Sequence, residues 1–175
     1  MFLPILVAYR TGIIKQDRAK QLYLRFFLKW YSEKQLVEKG IKYSEYEIKK
    51  ILDPKIFERL QWHQKQNHSV YIITASLKYW IEPWCKKYGI NIQCTNIEIL
   101  DGNVTGNLIG NNCFGEEKSK RIKQIINSNQ SVSIYAYGDS IGDYPMLSLA
   151  NHSFDCSNNN SSPYQLAKKE PWYVG

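Results

Sequence analysis

The stretch Tyr137-Gly138-Asp139-Ser140-Ile141-Gly142-Asp143-Tyr144-Pro145-Met146-Leu147 places two carboxylates four residues apart, between an apolar segment and the start of a helix. Residues 132–137 predict a buried strand, so Asp139 follows a carboxyl end, where ligands bind in open α/β sheets. Mg²⁺ prefers oxygen ligands and completes its shell with water and phosphate. Asp139 and Asp143 are therefore candidate magnesium ligands. The simpler alternative is that Asp139 forms a turn and Asp143 caps a helix.

Two further segments carry polar groups suited to an anion. Thr74-Ala75-Ser76 ends the apolar run of residues 69–74, where a hydroxyl and backbone N–H groups at a helix start can bind an anion. The alternative is that Thr74 and Ser76 are ordinary helix caps. Lys118 lies one turn into a helix that follows residues 112–115, and it can neutralise charge on a phosphoryl group. Taken singly, such a lysine is more often solvated.

The pattern of predicted secondary structure changes near residue 65. Residues 16–66 predict successive helices, and residues 67–150 alternate strands with helices, which predicts an α/β fold with a mainly parallel sheet. The expected helical features are an apolar face of Leu22, Phe26 and Trp30, capping boxes at Ser32–Gln35 and Ser44–Glu47, a helix end at Gly40, and an Asp53–Pro54 start to a helix reaching about Gln66.

The second part of the chain has equally definite local signals. Asp101-Gly102 between two apolar runs predicts a type I′ hairpin. The other expected elements are a strand at 69–74, a helix at 77–88 ended by Gly89, a helix at 116–126, a strand at 132–137 and a helix starting at Pro145.

Charge and cysteine spacing limit the function classes. Of 175 residues, positions 1–62 carry 13 Lys and Arg against 7 Asp and Glu, and positions 63–175 carry 10 against 9. Cysteines at 85, 94, 113 and 156 form no C-x-x-C, which favours a reducing, cytoplasmic setting over a zinc or disulfide framework. The apolar run Met1–Ile14 is a poor signal peptide and too short to cross a bilayer. Contact with a membrane surface stays open.

Taken in chain order, the polar segments at residues 74–76, 112–118 and 137–147 resemble motifs II, III and IV of the haloacid dehalogenase (HAD) superfamily of phosphatases. The resemblance is closest to the phosphoserine-phosphatase-like subfamily IB and to relatives of phosphatidylglycerophosphatase C, and it includes the region around Trp172. It implies a Rossmannoid three-layer sandwich with a mainly parallel sheet. Residues 1–62 would be a helical cap and residues 63–175 the α/β core.

The resemblance also implies roles for individual residues. Thr74 would bind the phosphoryl group, with Ala75 and Ser76 supplying N–H groups and Ser76 as the alternative hydroxyl. Lys118 would stabilise charge, although some relatives carry that lysine at the position of Phe114. Asp139 would ligate Mg²⁺, and Asp143 would ligate it or orient a bound water.

The family's first motif, D-x-D, supplies the nucleophile of an aspartyl-phosphate mechanism. The six aspartates of this chain, at 17, 53, 101, 139, 143 and 155, include no such pair. We therefore expect that the chain starts late and lacks its first core strand. A catalytically inactive relative is the second interpretation.

The function expected from the resemblance is Mg²⁺-dependent hydrolysis of a phosphomonoester, either a lipid phosphate of the phosphatidylglycerophosphate type or a small one such as phosphoserine. An alternative of another class is a module that binds anionic membranes through the basic, aromatic N-terminal third. Nucleic acid is not an expected partner, because no recognised binding motif accompanies the charge.

Overall fold

The computed structural model describes residue 11, residues 14–126 and residues 132–156, which fall in two compact units, residues 1–112 and residues 113–175. Most of the Met1–Ile14 run and the Trp172 region lie outside the described residues. In the part of the chain that is described, no helix is long and apolar enough to span a membrane. The division into a cap of residues 1–62 and a core of residues 63–175 stays a prediction.

Among the described residues of the first unit, four helices precede in sequence a three-stranded mixed sheet of order β1-β2-β3. Strand β1 pairs with β2 in parallel, and β2 pairs with β3 antiparallel. Its elements are α1 (Gln16–Leu28), α2 (Glu33–Tyr46), α3 (Ile48–Ile51), α4 (Pro54–Lys65), β1 (Tyr71–Leu77), α5 (Lys78–Lys87), β2 (Asn91–Leu100) and β3 (Asn103–Ile109).

In residues 113–126 and 132–156 of the second unit, the structure shows one parallel strand pair, together with short helices. Strand β4 pairs with β5, from Tyr135 opposite His152 to Gly138 opposite Asp155. Its elements are α6 (Glu116–Ile125), β4 (Tyr135–Gly138), a 3₁₀ turn (Ile141–Asp143), α7 (Tyr144–Leu147) and β5 (His152–Asp155). Strand β5 and the 3₁₀ turn were not expected from the sequence, and α7 begins at Tyr144, one residue before the predicted start at Pro145.

Most of the expected local signals are confirmed. The Ser32 hydroxyl accepts from the Gln35 N–H and the Gln35 side chain accepts from the Ser32 N–H, which completes the capping box. Asp53 Oδ1 accepts from two N–H groups in the first turn of α4. In the hairpin, Asp101 has φ 47° and Gly102 has φ 74°, as a type I′ turn requires.

The predicted helix end at Gly40 and the capping box at Ser44 are wrong. Helix α2 continues through both residues to Tyr46, and both are buried. The reason is tertiary, because a Cβ at Gly40 would overlap the carbonyl oxygen of Tyr79 in α5. Gly40 therefore allows two helices to approach closely and does not end one.

Helix α1 presents a different face to the core from the one that the spacing suggested. Leu24 is buried in a cluster with Leu36, Leu77, Ile97 and Val104. Phe26 and Trp30, which with Leu22 made the expected apolar face, are exposed to 44% and 78%. The sequence of a helix with apolar residues on several sides does not predict which side packs against the core. Here the side that carries Leu24 packs against the sheet.

The close approach at Gly40 can be tested by Gly40→Ala. Alanine favours an exposed helix by about 1 kcal/mol over glycine, but the overlap with Tyr79 costs about 1–3 kcal/mol. We expect a net loss of up to about 2 kcal/mol in the free energy of unfolding, measured by urea denaturation. Glu38→Ala, at an exposed position of the same helix, should change it by under about 0.5 kcal/mol. A stabilised Gly40→Ala variant would contradict the close packing.

Candidate functional site

A ring of donors surrounds the carboxylate of Asp143 at the carboxyl end of β4. Its Oδ2 accepts from the Ser140 hydroxyl at 2.6 Å, the Ser140 N–H at 3.1 Å and the Asp139 N–H at 3.3 Å. Its Oδ1 accepts from the ammonium of Lys118. Both oxygens are therefore held in place by partners from the loop and from α6.

Lys118 and Asp143 form a buried ion pair, with side chains exposed to 10% and 7%. Burial alone would raise the pKa of Asp143, but the hydrogen bonds from Lys118 and Ser140 and the charge of Lys118 outweigh it and lower the pKa. The carboxylate is thus kept ionised below its usual range. Lys118 is a buried partner of a carboxylate and not the solvated residue that a single helical lysine usually is.

Two glycines make this geometry accessible. A Cβ at Gly138 would overlap the Asp143 side chain, and a Cβ at Gly142 would overlap the ring of Phe114. The Gly115 N–H also donates to the Gly142 carbonyl at 3.0 Å, which ties the start of α6 to the 3₁₀ turn. The glycines in the quoted stretch therefore serve close packing, and they let Lys118 reach Asp143.

The carboxylate of Asp139 differs from that of Asp143. Asp139 is exposed, and its side chain accepts no hydrogen bond from the described residues, although its N–H donates to Asp143. An exposed carboxylate beside a fixed one suits Mg²⁺, which takes few carboxylates and keeps waters. The exposed carboxylate oxygens of Asp139 therefore suit Mg²⁺ as ligands. Asp143 already has four donors, so it is better placed to orient a bound water.

No ready-made cage of protein ligands is present in residues 14–126 and 132–156. In that part of the chain, His, Cys, Asp and Glu side chains form no group of three that could hold a metal ion. A site completed by water and by a substrate phosphate needs no such group.

Thr74, Ala75 and Ser76 lie in the first unit and are described there alone. Strand β1 changes register between Thr74 and Leu77, so Ala75 and Ser76 have no partner residue in β2. The Ser76 N–H donates to Thr74 Oγ1 at 3.1 Å. The cap of α5 is Leu77, without a side-chain hydrogen bond, so neither hydroxyl is the ordinary helix cap considered above.

One cluster in the first unit was missed from the sequence. Lys20 of α1 donates to the Ala75 carbonyl, to Asn112 Oδ1 at 2.6 Å and to Thr95 Oγ1 at 3.3 Å. Nothing in the order of residues joins positions 20, 75, 95 and 112.

Comparison with known proteins identifies relatives of both the sequence and the fold. The profile of the haloacid dehalogenase-like hydrolases matches residues 2–148. Protein CicA of Caulobacter vibrioides is 26% identical over 155 residues, which cover 84% of this chain and 66% of CicA. Histidinol-phosphatase of Neisseria meningitidis is 27% identical over 173 residues, which cover 95% of this chain and 77% of that protein. The chain thus spans just under two thirds of the length of CicA.

Solved structures show the same fold at lower identity. A protein with unknown function from Bordetella pertussis has a TM-score of 0.76 and 21% identity, with 87% of this chain and 70% of that chain covered. The probable phosphoserine phosphatase of Vibrio cholerae has a TM-score of 0.65 and 15% identity, with 87% and 46% covered. With their parallel strand pairs, the α/β units agree with a Rossmannoid fold of this type, as the sequence predicted.

Lys118→Met tests the buried ion pair. Removing one partner leaves a buried carboxylate uncompensated, which costs about 3–5 kcal/mol in the free energy of unfolding at neutral pH. In the wild type, the lowered pKa of Asp143 gives stability that is present above the unfolded pKa of about 3.9 and is lost as the pH falls through the folded value. In the variant, burial dominates and raises that pKa.

The deficit of Lys118→Met relative to wild type should therefore be largest near pH 7 and shrink toward about pH 4. Urea denaturation at several pH values measures it, and NMR titration of the Asp143 carboxyl follows the pKa directly. Lys120→Met, at an exposed lysine of the same helix, is the matched control and should leave both quantities unchanged. A deficit that is the same at every pH would contradict the pairing.

Proposed function

The chain belongs to the haloacid dehalogenase-like hydrolase family, and on that premise we propose that it forms part of a Mg²⁺-dependent phosphomonoester phosphatase of the phosphoserine-phosphatase-like subfamily IB. The observation that carries this proposal is the pair Lys118–Asp143 beside the exposed Asp139, at the carboxyl end of β4. A cation, a fixed carboxylate and an exposed carboxylate at one strand end are the groups that phosphoryl transfer uses.

Each residue has a role that follows from its contacts. Asp139 would hold the metal ion through its exposed carboxylate, and Asp143 would orient a bound water through oxygens that Ser140 already fixes. Mg²⁺, when bound, supplies positive charge to phosphoryl oxygens. Lys118 would stabilise negative charge and keep Asp143 ionised. By the resemblance to the family's second motif, Thr74 would donate its hydroxyl to a phosphoryl group, while the Ser76 N–H donates to Thr74 Oγ1.

An aspartyl-phosphate mechanism needs one more component. A carboxylate oxygen must attack phosphorus while the ester oxygen leaves with a proton from a general acid, and water then hydrolyses the acyl phosphate. The 175 residues contain no D-x-D pair to supply these groups. We therefore propose that the complete enzyme includes such a pair in addition to these residues. The DNA upstream of the Met1 codon tests this directly, since an in-frame D-x-D is the expected finding.

The substrate class is a phosphomonoester, and two kinds are proposed. A small phosphate ester is supported by the similarity to a protein named histidinol-phosphatase. A lipid phosphate is supported by the excess of basic residues in positions 1–62. The cysteine spacing, which contains no C-x-x-C, supports the cytoplasmic setting that we propose.

Asp139→Asn tests the metal role in the chain as it stands. Asparagine keeps the size of the side chain but removes its charge, so we expect Mg²⁺ affinity to fall at least about tenfold in calorimetric titration, with fold stability unchanged. Asp101→Asn, in the exposed hairpin turn, is the matched control and should bind Mg²⁺ like wild type. In a version extended to include D-x-D, Asp139→Asn should also lose phosphatase activity. Equal Mg²⁺ affinity in wild type and Asp139→Asn would remove the metal role.

A second candidate function is binding to an anionic membrane surface, and it is favoured by exposed aromatic residues at the end of α1 and in the turn that follows it. Phe26, Phe27 and Trp30 are exposed to 44%, 41% and 78%, and the Lys29 ammonium lies 4.5 Å from the Trp30 ring centroid. Aromatic side chains beside lysines are typical of helices that lie in the lipid interface. This surface would serve to bring the chain to a lipid substrate.

Sedimentation with phosphatidylglycerol-containing vesicles tests this surface. We expect binding at low salt that weakens at high salt, and Trp30→Ala should weaken it about tenfold because a large aromatic surface is lost. Tyr46→Ala, at an exposed aromatic of α2, is the control and should bind like wild type. Binding that is absent at low salt, or insensitive to Trp30→Ala, would remove the membrane candidate.

A further inference from the structure

The ammonium of Lys20 lies partly buried in the first unit and donates to three neutral oxygens there. These are the Ala75 carbonyl, Asn112 Oδ1 at 2.6 Å and Thr95 Oγ1 at 3.3 Å. The three acceptors come from separate parts of the chain, so they restrict the direction of the ammonium. The lysine is therefore held in one orientation, with its charge against the backbone of the Thr74–Ser76 turn.

The two side-chain acceptors are themselves fixed. Thr95 is fully buried and Asn112 nearly so. The Thr95 hydroxyl donates to Asn112 Oδ1 at 2.9 Å, so Thr95 accepts from Lys20 and donates to the oxygen that Lys20 also contacts. A buried and connected network of this kind has little freedom to rearrange. It sets the position of the ammonium before any ligand binds.

The Ala75 carbonyl belongs to the same planar peptide as the Ser76 N–H. In a trans peptide, the C=O and the N–H point in opposite directions, so fixing one fixes the other. The Ser76 N–H donates to Thr74 Oγ1 at 3.1 Å. Since that contact uses an acceptor position of the hydroxyl, the hydroxyl proton of Thr74 stays available for donation to an anion.

We propose that Lys20 is a positioning residue for phosphate binding, acting through the Ala75–Ser76 peptide on the hydroxyl of Thr74. The ammonium polarises the Ala75 carbonyl, the peptide passes this to the Ser76 N–H, and that N–H makes the Thr74 hydroxyl a stronger donor. This inference rests on the proposed function, because it assigns the Thr74–Ser76 turn to the phosphoryl group. It also favours Thr74 over Ser76 as the hydroxyl that binds.

A purely structural role for Lys20 predicts something different. If Lys20 only tethered α1 to the sheet, its loss would lower stability but leave the electronic state of the Ser76 amide unchanged in the folded protein. The Ser76 N–H therefore distinguishes the two roles, because its proton chemical shift reports the strength of its hydrogen bond.

The experiment is an NMR titration of the 175-residue chain with inorganic phosphate in Mg²⁺ buffer, following the Ser76 amide. Lys20→Met should shift the Ser76 amide proton upfield in the free protein and weaken phosphate binding about fivefold, because the Thr74 hydroxyl becomes a weaker donor and the Thr74–Ser76 turn is held less firmly. Lys20→Arg keeps the charge but changes its shape, so it should weaken phosphate binding less than Lys20→Met does. Lys34→Met, at an exposed lysine of α2, is the matched control and should match wild type.

The outcomes separate the inference from the function on which it rests. If wild type and Lys34→Met bind no phosphate, the phosphate site fails and the inference fails with it. If wild type binds and Thr74→Val does not, but Lys20→Met binds equally with an unchanged Ser76 amide, only the role of Lys20 is overturned. If Lys20→Met does not fold, Lys20→Gln replaces it with an uncharged polar group, and the same shift and weakening are expected.

Discussion

A charge that is withdrawn from water must be met by an opposite charge or by hydrogen bonds, since an unmet buried charge costs several kcal/mol. Asp143 meets this requirement with one ammonium, one hydroxyl and two backbone N–H groups. To satisfy it, the loop after β4 must fold back on itself and α6 must bring Lys118 to the same point. The geometry of the second unit at the end of β4 follows from this single constraint.

The same requirement shapes the first unit in another way. The Lys20 ammonium donates to the Ala75 carbonyl in β1, to the Thr95 hydroxyl in β2 and to the side-chain oxygen of Asn112, the last residue of the unit. One charged side chain thereby links the first helix to the turn after Thr74. In both units, a partly or fully buried lysine is held by contacts that also position backbone groups of a proposed phosphate or metal site.

Most features that depend on residues close together in the chain were predicted correctly from the sequence, and features that depend on distant residues were not. The Ser32 and Asp53 caps and the Asp101–Gly102 turn depend on residues within three positions of each other, and all are confirmed. Gly40 was misassigned because glycine commonly ends a helix, whereas here it lies against Tyr79, 39 positions away. The face of α1 that packs was misjudged for the same reason, since the helix carries apolar residues on more than one side.

The sequence by itself determined the family, the order of the polar segments and the types of residue at the strand ends, because these depend on local patterns and motif spacing. Only the tertiary structure decided that Lys118 pairs with Asp143, that Asp139 stays exposed, and that Lys20 contacts the carbonyl of Ala75. The physical reason is that burial and charge pairing are properties of groups close in space. Residues 20, 75, 95 and 112 are distant in the chain, and folding alone brings them within hydrogen-bond distance.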